Sequence, residues 1–465
     1  MPDYQKEELK TIALVVSTMA SFLTPFMSSS INIALPSIGK EFSMNAVEMG
    51  WVATSYLLSS VMFLLPFGRL ADIYGRKKVF LTGTIVLILS CLLATYSRSS
   101  MVLIAVRMIQ GFGSAMIFGT GVAILTSVFS AGERGKVLGI NAASVYIGLS
   151  TGPVFGGFLT EHFGWRSIFY VNIPIGLTII ILVIWRLKGE WSESKGEKFD
   201  LFGALLYVVS LFSLIVGLSD MTVAIHYLYA GIGTAGLVGF LYWEHRINQP
   251  LLNIRLFRSN TVFMMSNLAG LINYAATFAV GFMLSLYLQY IKGLNPEHAG
   301  LILIAQPLTM AVISPLAGRL SDGIEPRIVA SSGMAVTTLG LILFVFIQAE
   351  TGMIQIIATL MIIGAGLALF SSPNTNAVMS SIEKRFYGVA SGTLGTMRLA
   401  GQMLSMGIVM LIISMMIGRV KITPVFYPSF LTSMKIAFAV FSAFCLGGIF
   451  CSLARGKVYD RNRLN

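Results

Sequence analysis

Two arginines draw attention first, because each lies inside a long uncharged apolar run. Arg107 shares one helix face with Gln110, Gly111 and Ser114, at spacings of 3, 4 and 7 residues. Arg398 continues in the same way through Gly401, Gln402 and Ser405. A guanidinium in such surroundings does no covalent chemistry; its donors engage carbonyls, water or an anionic ligand. No nucleophile paired with a base is apparent, and no Gly-rich phosphate loop leads into a soluble nucleotide-hydrolysing domain, so no enzyme is expected. Cys91, Cys445 and Cys451 all fall in apolar runs and read as small buried hydrophobes, so neither a disulfide framework, a metal site nor a cofactor is expected.

The elements that must position these groups follow from composition. Of 465 residues, 55% are apolar and 11% are charged, with a mean hydropathy of +0.81, which excludes a soluble globule. Apolar runs separated by charge or turn clusters number fourteen, from 11–36 to 433–454, each long enough to cross a bilayer. An even number puts both termini on one side. Of the 32 Lys and Arg residues, 23 lie in loops and tails on that side, seven lie on the other, and two lie within spans. The positive-inside bias therefore predicts cytoplasmic termini. It also explains the net charge of +12 without nucleic acid, since no basic stripe interleaved with aromatics lies outside the spans. The first run is too long for a removable signal and is expected to be retained.

The segment Gly68-Arg69-Leu70-Ala71-Asp72 recurs as Gly318-Arg319-Leu320-Ser321-Asp322, 250 residues later. That offset aligns spans 1 to 6 with spans 9 to 14 and leaves spans 7 and 8 inserted between two six-helix bundles. The expected division is residues 1–187, 188–260 and 261–465, with the polar stretch Lys188 to Lys198 at the junction.

The loop after span 2, from Gly68 through Arg69, Asp72, Gly75 and Arg76 to Lys78, matches the cytoplasmic signature of the major facilitator superfamily. A short basic loop also sets topology without further duty. Beyond that, Gly68 allows close helix approach, and Asp72 can take charge-assisted bonds from an arginine or a helix N-terminus across the seam between halves. The resemblance makes Gly68, Arg69, Asp72, Gly75, Arg76 and Asp322 a gate on the inner face. Arg107, Gln110 and Gly111 resemble the superfamily's Arg-x-x-Gln-Gly element, with snorkelling of Arg107 to the outer surface as the plain alternative.

Span 5 carries Gly148, Gly152, Pro153 and Gly156, a small-residue stripe suited to close helix packing, and it resembles the exporter-associated signature. The segment Gly164 to Pro174 (GWRSIFYVNIP) looks like the fourteen-helix drug:proton antiporter family in particular. Span 1 ends Asn32-Ile33-Ala34-Leu35-Pro36, again as in that family. One position departs from it. Many members carry an aspartate nine residues before that proline, where this chain has Met27.

All 20 Asp and Glu residues fall in loops, tails or helix ends, and all four histidines are likewise at span ends. Proton coupling is therefore left to Asp72, to a boundary acid such as Glu161 or Asp220, or to an indirect route. Arg398 sits about 15 Å along its span, near the centre of a core about 30 Å thick, where it either faces a ligand or packs on backbone carbonyls. Together with Arg107, Gln110 and Asn32 it forms the candidate set for proton coupling or the central cavity. Ser28, Tyr146, Asn267, Tyr274, Gln306, Asn376 and Gln402 are candidate cavity residues, although interhelical bonding is the commoner duty of such amides. The 25 methionines suit an adaptable lining.

The resemblance implies an all-α membrane carrier with the major facilitator fold, exporting amphipathic drug-like compounds by proton antiport with alternating access, as a monomer in the cell membrane. The alternative, prompted by the missing carboxylate, is a proton-independent carrier or an exporter of an anionic or zwitterionic metabolite or lipid.

Overall fold

The computed structural model describes residues 3–130, 133–252, 254–383 and 387–456, and the helices within them account for nearly all of that chain. Among the described residues fourteen helices are long and apolar enough to cross a membrane. They are α1 (Lys6–Glu41), α2 (Ala46–Tyr74), α3 (Arg76–Thr95), α4 (Ser100–Val128), α5 (Arg134–Phe163), α6 (Ser167–Trp185) and α7 (Leu201–Ser219). The remainder are α8 (Ala224–Arg246), α9 (Thr261–Ile291), α10 (Pro296–Ser321), α11 (Pro326–Val345), α12 (Met353–Ser380), α13 (Val389–Met416) and α14 (Pro424–Ala454).

Some helices overrun their apolar runs, and polar caps fix the starts of others. Asn45 and Glu48 close a reciprocal capping box at the start of α2, at 2.9 and 3.0 Å. Asn260 and Asn295 accept from the backbone N–H groups of Phe263 and His298 at the starts of α9 and α10. The overrun matters at α8, which continues past the apolar run to bring Glu244 into its last helical turn.

The packing repeats with the sequence. In the first half α1 packs on α5 and α6, α2 on α4, and α3 on α4 and α6; in the second, α9 packs on α13 and α14, α10 on α12, and α11 on α12 and α14. These are the same pairs under an eight-helix shift. The halves meet through α2 with α13 and through α5 with α10, two seams that the same pseudo-twofold axis exchanges. The inserted α7 and α8 pack chiefly on each other, while α7 also lies against α2 and α13 and so covers one seam. Tyr207 of α7 donates to the Val61 carbonyl of α2 at 3.2 Å. At the other end Asp220 accepts from Ser414 at 2.9 Å and from Arg419 at 2.7 Å, tying the hairpin to the end of α13.

Candidate functional site

A cavity of about 1360 Å³ opens between the halves toward the face that bears the termini. At its mouth lie Arg69, Asp72, Arg76, Arg134, Glu193 and Glu197; at its depth lie Tyr146, Tyr274, Phe370, Ser371 and Arg398. The opposite face is shut. Ser285 donates to the Asn32 carbonyl at 2.7 Å, Gln289 to the Ile33 carbonyl at 2.9 Å, and the Ala46 N–H to the Val420 carbonyl at 3.1 Å. His162 and Glu297 pair across the same face at 3.1 Å. Glycines permit the α5–α10 closure: a methyl on Gly157 would lie 2.5 Å from the Pro296 carbonyl, and one on Gly300 would lie 2.2 Å from that of Pro153.

At the bottom of the cavity the halves touch through side chains. The Tyr146 hydroxyl of α5 and the Ser371 hydroxyl of α12 lie 2.8 Å apart, and Tyr274 of α9 is 3.4 Å from the same serine. The Arg398 guanidinium stands 5.9 Å from the centre of the Tyr274 ring. Among the described residues no carboxylate lines this end of the cavity, and the charge there is that of Arg398. The other members of the Arg398 face turn away from the cavity. Gly401 packs where a methyl would be 2.4 Å from the Leu271 carbonyl, Gln402 is buried, and Ser405 accepts from the Ala279 N–H at 3.0 Å.

Arg107 does not reach the outer surface; it is 0% exposed. Its Nε donates to the Val52 carbonyl at 3.1 Å, Nη1 donates to Gln110 at 2.9 Å, and the guanidinium lies 4.4 Å from the centre of the Tyr56 ring. Nη2 has no partner. Gln110 in turn donates to Cys91 at 3.5 Å, and Cys91 lies 3.8 Å from the sulfur of Met27. The position where a family acid was expected is therefore adjacent to the buried arginine's network, inside the first half and sealed from the cavity.

The gate residues are joined differently from the sequence expectation. Asp72 bonds to Arg76 of its own hairpin, at 2.7 and 2.9 Å, and not across the seam, because Arg76 follows it by one helical turn. Arg76 also engages Ser127 at 2.6 Å and Glu193 at 2.7 Å. The polar stretch after α6 folds back over this hairpin: Arg69 reaches Ser194 at 3.0 Å and pairs with Glu197, and the Ser194 N–H donates to the Asp72 carbonyl at 2.9 Å. Gly75, at φ +122°, makes the turn between α2 and α3, and a methyl there would meet the Glu190 carboxyl at 2.4 Å. Gly68 is not itself the close approach; a methyl there meets nothing within 4 Å, whereas one on Gly119 of α4 would lie 3.3 Å from the Gly68 nitrogen. Asp322 lies in the last turn of the helix Ala305–Gly323, and its side chain is outside the described residues.

Of the cavity candidates, Tyr146, Tyr274 and Asn376 line it. Asn267 is fully buried and donates to the Phe263 carbonyl at 2.9 Å, Gln306 backs onto α12 at Gly364, and Ser28 and Asn32 lie on the sealed side of α1. The stripe on α5 packs on α1, where methyls on Gly148, Gly152 and Gly156 would lie 2.5 Å from the Phe22 carbonyl, 1.8 Å from the Ser29 hydroxyl and 2.7 Å from Ser30. Ser371 escaped the sequence reading because it opens a polar stretch through Asn376 in which no spacing sets one member apart.

A membrane bundle of two pseudo-twofold halves around one central cavity defines a carrier of small molecules. The chain matches the Major Facilitator Superfamily over residues 18–406 and again over 266–464, and it belongs to that family. It is 32% identical to the riboflavin transporter RibZ of Clostridioides difficile, over 84% of this chain and 85% of that one. It is 32% identical to the cephamycin export protein CmcT of Amycolatopsis lactamdurans, over 85% of this chain and 83% of that one. The multidrug resistance protein Stp of Mycobacterium tuberculosis is 29% identical, over 84% and 73%. Among solved structures, a bacterial homologue of the human drug peptide transporters PepT1 and PepT2 superposes with a TM-score of 0.65 at 14% identity, covering 97% of each chain, which bears on the fold.

Proposed function

We propose that this chain exports amphipathic drug-like compounds across the cell membrane by alternating access in exchange for protons, working as a monomer with both termini in the cytoplasm. The observation that carries this reading is the cavity, open at the terminal face and closed at the other, with two tyrosines and a phenylalanine at its depth. Its volume exceeds the roughly 300–1,000 Å³ of a site shaped for one drug-sized ligand, which suits a range of substrates. The relatives are named for riboflavin transport and cephamycin export, which supports a small organic substrate. The positive-inside bias supports the orientation, and the division at residues 187 and 260 follows the repeat.

A second reading is favoured by Arg398. With no acid beside it at depth, an anionic or zwitterionic metabolite or lipid carried without protons satisfies the site as well. The test is uptake into reconstituted vesicles with a pH-sensitive dye in the lumen, using riboflavin and a cationic dye as probes. Antiport predicts a lumenal pH change that begins with substrate addition and an uptake that falls when the proton gradient is collapsed. Substrate movement with an unmoved lumenal pH favours the second reading, and no movement of either probe removes this substrate class.

A further inference from the structure

Two buried acids outside the cavity have no role in the site described so far. Asp200 caps α7: Oδ1 accepts from the Gly203 N–H at 3.0 Å, and Oδ2 accepts from Trp243 Nε1 at 2.9 Å. Glu244 comes to the same place from the last turn of α8. Its Oε2 accepts from the Leu252 N–H at 2.8 Å, while its Oε1 has no donor. Glu244 is 2% exposed and Asp200 is 8% exposed. The two carboxyls converge over Gly203, where a methyl would lie 2.1 Å from Asp200 Oδ2 and 3.0 Å from Glu244 Oε1. The unpartnered oxygen and Asp200 Oδ2 thus border the same small space above Gly203.

Among the described residues no cation pairs with either acid. On α8, His245 and Arg246 are exposed, and Arg246 stacks 4.3 Å from the centre of the Tyr242 ring. In the stretch before α7, Lys198 is exposed and offers its backbone N–H to Gln249; on the short helix Ile254–Ser259, Arg255 and Arg258 are exposed. Among the described residues none of the ion pairs includes Asp200 or Glu244. Two carboxylates that share a desolvated site without a cation do not both keep their charge. A proton on the oxygen without a donor removes that repulsion.

We propose that Asp200 and Glu244 form a proton-binding pair on the inserted hairpin, with one proton held on Glu244 Oε1 and shared with Asp200 Oδ2. The other oxygen of Glu244 tethers Leu252, and residues 248–252 form part of the wall at the cavity mouth. Loss of the proton sets a second negative charge against Asp200 and loosens this end of the hairpin, so occupancy of the pair reaches the mouth through one hydrogen bond. The pair supplies a titrating carboxylate to a carrier whose cavity has none at depth, and it bears on the transport reading only in that use.

The test is made on the full-length protein in lipid nanodiscs without substrate, titrated from about pH 4 to about pH 9. Infrared difference spectra are expected to show a protonated-carboxyl carbonyl band that titrates in the native chain, disappears in Glu244→Gln and persists in Glu350→Gln, an exposed acid of the far loop. Asp200→Asn keeps one acceptor oxygen for the Gly203 N–H, gives up the bond from Trp243 and removes the second charge. It is expected to lower the midpoint of the band by about one pH unit or more, with Trp243 fluorescence following the same midpoint. An unchanged band in Glu244→Gln, or an unmoved midpoint in Asp200→Asn, overturns the proposal. Should Glu244→Gln fail to fold, the Asp200→Asn midpoint decides alone. Because no substrate is present, either failure leaves the transport reading standing.

Discussion

A buried guanidinium is tolerable when enough dipoles surround it, and the two arginines differ in that respect. Arg107 has a carbonyl, an amide oxygen and a tyrosine face. Arg398 has a ring face and open cavity, which leaves donors for a ligand. A charge-assisted bond to a substrate is worth about 1.5–3 kcal/mol. Arg398→Ala should therefore cut the preference for an anionic over a neutral analogue by about tenfold or more, read as the ratio of kcat/KM values, and an unchanged ratio with lower thermal stability would assign Arg398 to packing. Met27→Asp places a carboxylate beside Cys91 and the Arg107 network. It should add a new pH-dependent limb to the transport rate, and a profile that does not move would exclude this position from coupling. Asp220 is a poor proton carrier. Burial pushes its pKa up, but hydrogen bonds from Thr222, Ser414 and Arg419 more than offset this and hold it at about 2. Since that lies below an unfolded aspartate, its stabilisation is complete above about pH 4 and is lost as pH falls toward 2. The Tm difference between the native chain and Asp220→Asn should accordingly stay constant from about pH 8 to about pH 5 and vanish in stronger acid.

At the scale of the helix, small residues determine which surfaces meet. The α1–α5 contact has no space for added carbon at Gly148, where backbone is the obstacle. Gly148→Ala should destabilise the bundle by about 1–3 kcal/mol, seen as a lower Tm in detergent, while Gly68→Ala, with open space around it, should leave Tm nearly unchanged. The folded-back stretch after α6 acts on the α2–α3 turn as a strap, because Glu193, Ser194 and Glu197 all engage the hairpin that carries Asp72. Asp72→Asn should slow transport without reducing membrane insertion. Equal initial rates at equal expression would contradict a gating role.

For the molecule as a whole, the contacts that a rocking motion must break are individually weak. Interhelical polar bonds in membranes average about 0.6 kcal/mol, so the Tyr146–Ser371 bridge and the Ser285–Asn32 and Gln289–Ile33 bonds on the shut face can be exchanged in each cycle. Joining Asn32→Cys to Ser285→Cys by a disulfide should stop transport, and a reductant should restore it. Unimpeded transport in the linked protein would mean that this face does not open.

Hydropathy and charge placement dictated fourteen spans, because a chain in lipid has to satisfy its backbone within each helix and can show it only as apolar length. The 250-residue repeat likewise foretold matching helix pairs in the two halves, since the same small and apolar faces recur at the same offsets. Tyr146, Tyr274 and Arg398 were recognisable as polar groups at depth. Which of them would share a cavity with Ser371, while Gln402 and Asn267 turned inward to packing, depended on helix rotation, and periodicity does not specify the azimuth of a helix that is apolar all round. The partner of Asp72 and the meeting of Asp200 with Glu244 were settled only by the three-dimensional path of the loops after α6 and α8, where short polar segments fold back on helix ends that lie far away in sequence.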